Sequence, residues 1–411
     1  MWYADPLRRL LFVAQAESGS PQHQSLRFLW LYALAVAGGA VSYVPFLTLL
    51  LPVRVTDLAG SETITYLAYI AFAGAIAASI ANIGFGWASD RTGTRVPWIL
   101  GGLLLSCLLL ISVSEAKTPA HLIGLIVVWQ LALNMMLAPL TAWAGDVVPD
   151  AQKGLLGGLL AFAPALGAAA GALVTIPGLA NPDGRLILVA LLVAGMVLPV
   201  VLFGKPVPMP HLMSSGAEIP GSRRTFRRGA VSRMWLARLL VQIAEAALFA
   251  YLLIWFVSID ENFTDNDTAR IFAVVLGLSV PLALLAGRWS DRRDRPILPL
   301  AIGAGIGTGG LLIMALAQDL AGAIAGYVVF GLSTGVFLAL HSSQTLRVLP
   351  RPETRGRDLG LFNLTNTMPS LIMPWLTITL VPLFGFAGLF VALAALAAIA
   401  TALLVTMPRS N

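Results

Sequence analysis

The sequence predicts an all-α membrane protein of twelve transmembrane helices, set in two pseudo-symmetric bundles of six with both termini cytoplasmic. Three observations carry that expectation. Asp, Glu, Lys and Arg supply 11% of the 411 residues and apolar residues 58%, whereas soluble proteins carry roughly a quarter charged residues. The apolar runs are about twenty residues long, the length at which a helix rising 1.5 Å per residue crosses a hydrocarbon core of roughly 30 Å. Short motifs also recur at a fixed offset near half the chain length.

Residues 1–26 read as a cytoplasmic tail. Leu10 to Ala14 is shorter than the 7 to 15 apolar residues, approximately, of a signal peptide, so the tail is expected to be retained. Leu7, Leu10, Leu11 and Ala14 stand at helical spacing beside Arg8 and Arg9, a pattern for a short helix on the membrane surface. Six crossings are then expected over residues 27–53, 62–89, 97–115, 119–145, 154–178 and 185–204, which make an N-terminal bundle spanning 27–204. Residues 205–231 are rich in Pro, Ser and Arg, lack helical periodicity and read as a cytoplasmic linker. Crossings over 232–258, 267–290, 296–317, 320–345, 358–384 and 386–407 make the C-terminal bundle, 232–408.

Charge supports the count. With the N-terminus inside, Arg54, Lys117, Arg185 and Arg270 fall outside and Arg238 falls within a crossing, which leaves 21 of the 26 Lys and Arg residues on the cytoplasmic side. The bilayer is accordingly expected to be the cytoplasmic (inner) membrane of the cell. The net charge of +6 does not indicate nucleic acid, because the basic residues punctuate apolar runs and do not gather on one soluble face. The lone Cys107 excludes an intramolecular disulfide or a cysteine-based metal cluster.

The halves repeat. Gly86-Trp-Ala-Ser-Asp90-Arg91 recurs as Gly287-Arg-Trp-Ser-Asp291-Arg292, an offset of 201 (291 − 90). Val147-Val148-Pro149 and Val348-Leu349-Pro350 share it (348 − 147). Two matches at one offset argue for a duplicated six-helix unit, as in carriers whose halves rock about a central site.

Gly86, Asp90, Arg91, Gly93 and Arg95 together resemble the loop between the second and third helices of the major facilitator superfamily, and the resemblance extends over everything after residue 26. It implies a cytoplasmic latch formed by these five residues that favours the outward-open state, with Asp291 and Arg292 as a weaker copy in which Asp294 takes the second glycine position. On physical grounds a small Gly86 permits close helix approach, and Asp90 can meet an arginine or a helix N-terminus. Asp90-Arg91-Thr92, Thr94-Arg95, Pro97-Trp98 and Gly360-Leu-Phe-Asn363-Leu-Thr look like the glycoside and sucrose cation symporters, although the additional Gly-Arg-x-Arg of those proteins is missing. Ala163-Pro164-Ala165-Leu166-Gly167-Ala168 looks like a degraded antiporter motif, and the antiporters' arginine in the fourth helix is absent. Neither resemblance decides direction.

Of the 20 acidic residues, Glu245 alone lies in the middle of a crossing, where ionisable groups are costly and usually functional. Arg238, Gln242 and Glu245 stand at i, i+4 and i+7, on one face of the seventh crossing. Seven residues at 1.5 Å separate Arg238 and Glu245 by about 10.5 Å along the axis, so water, Gln242 or a solute is needed to bridge them. Glu245 and Arg238 are the first candidates for proton coupling, and His341, near the cytoplasmic end of the tenth crossing, is the second. The superfamily resemblance implies that the first, fourth, seventh and tenth helices line a central cavity. Their midpoints offer Ser42, Tyr43, Gln130, Asn134, Gln242, Glu245, Ser333 and Thr334 as a substrate-binding layer for a hydroxyl-rich or amphiphilic solute. Asn363, Asn366 and Thr367 form a polar face on the eleventh crossing and are assigned to the latch.

The acidic run from Asp260 to Asp267 lacks the glycine and glutamate of a calcium loop. A P-loop, a Ser-His-Asp set and metal-spaced histidines are also missing, so neither ATP-driven transport nor hydrolysis has visible machinery and no cofactor is expected. The expected function is secondary active transport of a small organic solute, sugar-like or another polar metabolite, by alternating access and proton-coupled symport, in a protein that works as a monomer. The alternative is a proton-coupled exporter of drugs or amphiphilic metabolites.

Overall fold

The computed structural model describes residues 23–149, 152, 155–156, 159–160, 162–209, 228–293, 297–348 and 355–407, with side chains at 228–231, 291–293, 342–348 and 355–364 not described. The surface helix expected in the tail, linker residues 210–227 and Asp294 lie outside the described residues. All regular structure among the described residues is helical. Nine stretches are long and apolar enough to cross a membrane, and Ala163–Val174 is a shorter apolar helix.

The first helix is longer than its apolar run. α1 (Leu26–Pro45) begins where the Ser25 hydroxyl accepts the Phe28 N–H, a standard N-cap. It passes through one π-turn, Phe46–Leu50, into α2 (Leu51–Ala59). The helix ladder does not stop where hydrophobicity stops at residue 53. Arg54, just beyond it, donates to the carbonyls of Ser114 and Ala116 at 2.6 and 2.9 Å, so its charge is satisfied against the neighbouring loop. α3 (Thr63–Thr92) ends at Gly93, whose φ of 63° and N–H bond to the Asp90 carbonyl make a left-handed cap.

α4 (Val96–Ser112), α5 (Pro119–Val147), α6 (Ala163–Val174) and α7 (Pro182–Phe203) complete the first half. Thr118 and Asn181 cap α5 and α7, each followed by a proline in the first turn. The second half holds α8 (Arg228–Ile259), α9 (Asp265–Arg293), α10 (Leu298–Leu316), α11 (Leu320–Val348) and α12 (Arg355–Val405). α12 is broken at Gly385 (φ 64°, ψ −173°), between the expected eleventh and twelfth crossings.

The repeat seen in sequence is also a repeat of packing. A Cβ on Gly102 of α4 would lie 2.3 Å from the Met136 nitrogen of α5, and a Cβ on Gly303 of α10 would lie 3.4 Å from the Phe337 Cβ of α11. Residues 102 and 303, and 136 and 337, are separated by the same 201 positions (303 − 102, 337 − 136), so each half builds the same glycine-mediated helix pair.

One end of the bundle, here the terminal end, carries the start of α1, the α3–α4 turn and the ends of α5 and α7. There Gln24 ties three chain segments together. Its side chain donates to the Val147 and Val207 carbonyls at 2.7 Å and accepts from the Val207 N–H at 3.0 Å, while its backbone exchanges two bonds with Gln152. Contacts between the halves lie at mid-depth or toward the opposite, distal end. Arg185 at the start of α7 pairs with Asp265 at the start of α9. Asn266 donates to the Ala172 carbonyl and the Thr175 hydroxyl, both at 3.0 Å. Phe72 and Trp375 meet edge to face at 5.6 Å, and Tyr43 and Phe249 approach to 6.5 Å. At the terminal end, no hydrogen bond, ion pair or ring contact joins described residues of the two halves. Among the described residues, the halves are thus joined at mid-depth and distally.

Candidate functional site at the apex of the cleft

Helical spacing places Arg238, Gln242 and Glu245 on one stripe of α8, and packing of α8 against α12 and α11 brings further polar groups to it. Arg238 donates from Nε to Gln242 Oε1 at 3.1 Å and from Nη2 to Asn366 Oδ1 at 3.2 Å. Gln242 Nε2 donates to the same Asn366 oxygen at 2.9 Å. Arg238 Nη1 lies 3.5 Å from His341 Nδ1, and His341 Nε2 lies 2.9 Å from the Met234 carbonyl. A carbonyl only accepts, so Nε2 is the protonated nitrogen of a neutral His341 and Nδ1 faces the guanidinium as an acceptor. His341 is fully buried. Asn366, assigned from sequence to the latch, belongs to this cluster instead, because the rotation of α12 turns it toward α8.

Glu245 stands apart. It is half-buried and, among the described residues, makes neither a hydrogen bond nor an ion pair. Its carboxylate acts electrostatically on Arg238 of the same helix, on Tyr43 of α1 and on Tyr327 of α11. One turn further along α8, Phe249 begins a run of rings: Tyr43 to Phe249 at 6.5 Å, Phe249 to Phe272 at 6.1 Å, and Phe272 stacked on Tyr327 at 6.4 Å. These four rings come from α1, α8, α9 and α11, and the run continues from Tyr327 to Phe256 at 6.2 Å. Trp129, Tyr251 and Trp255, like Tyr327, are buried in the core, with Trp129 edge-on to Phe46 at 4.9 Å and Trp255 edge-on to Phe390 at 4.6 Å.

The remaining members of the expected binding layer divide. Gln130 and Asn134 of α5 form a second polar group with Asn82 of α3, which sequence reasoning missed. Asn134 donates to the Gln130 carbonyl at 2.9 Å and accepts from Asn82 Nδ2 at 3.4 Å. Ser42, Ser333 and Thr334 are buried, and their hydroxyls donate to carbonyls three or four residues back, at Gly39 and Phe330. Such back-bonding satisfies the hydroxyl within its own helix.

In the terminal loop Arg95 is the hub. Its guanidinium pairs with Asp90 at 2.6 Å and with Asp146 of α5 at 2.8 Å, and donates to the Ser89 hydroxyl at 2.6 Å. Burial works against charge on Arg95, and the bonds to Asp146 and Asp90 outweigh it, holding its pKa above the ordinary arginine value. Asp90 thus meets an arginine, as expected, but one of its own loop. Arg91 lies over the Trp87 ring at 5.4 Å. Among the described residues, a Cβ on Gly86 would meet nothing within 4 Å, so none of them makes the close approach expected there. The side chains of Asp291, Arg292 and Asn363 lie outside the described residues.

Comparison with known proteins follows this geometry. The sequence model of the Major Facilitator Superfamily matches residues 28–353 and 271–411. A search of curated protein sequences gives no match. Similar solved structures include a bacterial homologue of the human lysosomal transporter Spinster, inward-facing and unoccupied, at 13% identity and TM-score 0.65 over 92% of this chain and 95% of that one. A POT family transporter in complex with 5-aminolevulinic acid gives 14% identity and TM-score 0.71 over 92% and 94%. A variant of the nucleoside transporter NupG gives 12% and 0.69 over 92% and 99%. At these identities the likeness is one of fold.

Proposed function

This chain belongs to the Major Facilitator Superfamily, and we propose that it is a twelve-crossing secondary transporter that moves a small organic solute by alternating access, coupled to protons through Glu245. The observation that carries this reading is a half-buried carboxylate in the middle of a crossing that makes neither hydrogen bond nor ion pair among the described residues, in a fold whose described halves are joined at mid-depth and distally. The excess of Lys and Arg at the terminal end supports a cytoplasmic placement of both termini, and the mid-depth and distal contacts between the described halves support an inward-open reading of this conformation. Tyr43, Gln130, Asn134 and Gln242 remain in the proposed solute surface. Asn82 and the Arg238–Asn366–His341 group join it, and Ser42, Ser333 and Thr334 serve helix packing. The solved neighbours carry solutes as unlike as a nucleoside and 5-aminolevulinic acid, so fold alone does not choose the cargo.

Uptake of a sugar-like or other polar metabolite by symport is the first reading. One structural observation favours the second reading, proton-coupled export of an amphiphilic metabolite: the wall beside Glu245 is aromatic rather than hydroxyl-rich. The coupling role is tested in proteoliposomes with the solute that most stabilises the purified protein in a library screen. Glu245→Gln keeps size and hydrogen bonding but fixes the site neutral. It is expected to abolish accumulation or extrusion driven by a pH gradient while leaving solute exchange at equal pH, which needs no return of an empty deprotonated carrier. Undiminished proton-driven transport by the variant would move the coupling site to His341 or the coupling ion to sodium.

A further inference from the structure

We infer that a phospholipid of net negative charge binds the outer surface of the second half, in a groove between α9 and α11, with its phosphate at Arg270 and an acyl chain along the groove. Arg270, Val274 and Leu278 line the groove from α9, and Ile324, Val328 and Leu332 line it from α11. Such a site needs only a chain that crosses a bilayer, and it is independent of what that chain carries.

Phe272 stacks on the buried Tyr327, toward the interior of the bundle. Arg270 and Val274 stand two residues to either side of it, about 200° around the helix at 3.6 residues per turn. The face they share is therefore turned to lipid, and Arg270, Val274 and Leu278 are all exposed. The groove has a closed floor. A Cβ on Gly331 would stand 2.5 Å from Val275 Cγ1, and one on Gly335 2.6 Å from the Ser279 Cβ. These contacts come in the same order along both helices, so α9 and α11 run side by side in one direction. Leu278 lies eight residues along α9 from Arg270, and Leu332 eight along α11 from Ile324, a rise of about 12 Å. One leaflet of a hydrocarbon core of roughly 30 Å is about 15 Å deep, so the groove has the length of an acyl chain in the distal leaflet. Arg270, five residues into α9, stands at the headgroup end.

The apolar part of the groove selects little, because lipid tails are as apolar as the side chains they cover. Selection comes from the charged end. Among the described residues, Arg270 makes neither hydrogen bond nor ion pair. Two other arginines of the distal end are already held, Arg54 by carbonyls and Arg185 by Asp265. The acids at the starts of the two groove helices are engaged as caps: Asp267 accepts from Thr264, and Asp319 accepts the Gly322 N–H. A guanidinium matches a phosphodiester with two parallel N–H···O bonds, which a neutral headgroup does not return. The first half has no such charge, since position 69, related to 270 by the repeat offset of 201 (270 − 69), is a tyrosine.

The test is native mass spectrometry of the full-length protein released from detergent, with phosphatidylglycerol, phosphatidylcholine and diacylglycerol of matched chains, and glycerol phosphate as the headgroup alone. Phosphatidylglycerol is expected to be retained in preference to the other two lipids, and glycerol phosphate not at all. Arg270→Gln, a change on the lipid-facing surface, is expected to weaken that retention about three- to tenfold. Arg270→Lys should fall between the two, which guards against misfolding. Val274→Trp, which fills the groove and keeps the charge, is expected to weaken retention as well. Lys117→Gln, which removes an exposed distal cation of the first half, should leave it unchanged. Equal retention of phosphatidylcholine and phosphatidylglycerol, equal losses from Arg270→Gln and Lys117→Gln, or glycerol phosphate bound as tightly as the lipid would overturn the inference. So would a dimer that Val274→Trp dissociates with lipid retention unchanged, since the face would then belong to a second copy of the chain.

Discussion

Arg95 is held more by Asp146 than by Asp90, and side-chain exposure is the reason. The Arg95 and Asp146 side chains are 13% and 23% exposed, whereas Asp90 is 65% exposed. An ion pair in water gains little beyond roughly 0 to 1 kcal/mol, while a shielded charge-assisted hydrogen bond contributes about 1.5 to 3 kcal/mol. Asp146→Asn is therefore expected to lower the stability of the detergent-solubilised protein by about 1 to 3 kcal/mol, and Asp90→Asn by less than about 1 kcal/mol. Denaturant titration followed by tryptophan fluorescence checks the order, and a larger loss from Asp90→Asn would contradict it. Asp90 was legible in the sequence because it stands in a dense local motif. Asp146 was not, since its partner lies 51 residues away and an acid at a helix end looks like any other. Glu245 was legible because depth alone isolates it. The fates of Ser42, Ser333 and Thr334 were not, because a hydroxyl's bond to its own backbone depends on rotamer, which composition and spacing do not encode.

Helix limits follow caps and covalent geometry more closely than they follow hydrophobicity. The break at Gly385 coincides with the expected division because the backbone there needs a positive φ. The first helix outruns its expected end by six residues (59 against 53), since Arg54 finds carbonyl partners and no cap intervenes before Gly60. Which faces meet was visible only in part: the repeat offset implied equivalent pairs, but not that Gly102 and Gly303 make them. The two are not equally tight. A methyl group at Gly102 would stand 2.3 Å from the backbone nitrogen of Met136, whereas one at Gly303 would stand 3.2 Å from the Ser333 carbonyl oxygen. Overpacking of this kind costs about 1 to 3 kcal/mol when the backbone must yield. Gly102→Ala is expected to fall in that range and Gly303→Ala below it, as read by thermal unfolding in one detergent. Equal shifts would mean that α4 and α5 separate freely, contrary to the shared packing.

Across the molecule, polar groups are placed asymmetrically on a symmetric frame. The second half holds the polar group of Arg238, Gln242, His341 and Asn366, the first half holds that of Asn82, Gln130 and Asn134, and the distal pair takes charge from both. Arg185 and Asp265 are 19% and 15% exposed at their side chains. Arg185 Nε is buried without a hydrogen-bond partner, so the carboxylate opposite is what offsets that buried charge. Asp265 also lies in the first turn of α9, where a negative charge meets the positive helix end. Asp265→Asn keeps the shape and an acceptor oxygen but removes the charge. If the halves alternate as proposed, separating them distally parts this pair, so the substitution is expected to raise the free energy of the distally closed form relative to a distally open one. A loss of about 1.4 kcal/mol moves the ratio of the two about tenfold. The shift is read with a membrane-impermeant maleimide at Asn82→Cys, an exposed position of the same polar group, in a Cys107→Ala background. In the parent the introduced thiol should react from the terminal side, and with Asp265→Asn its reaction from the distal side should rise severalfold. Asp146→Asn, which breaks a pair confined to the first half, should leave the distal rate unchanged. An unchanged distal rate in Asp265→Asn as well would assign the seal to the ring contacts of Tyr43 with Phe249 and of Phe72 with Trp375, whose loss would then be needed to open it.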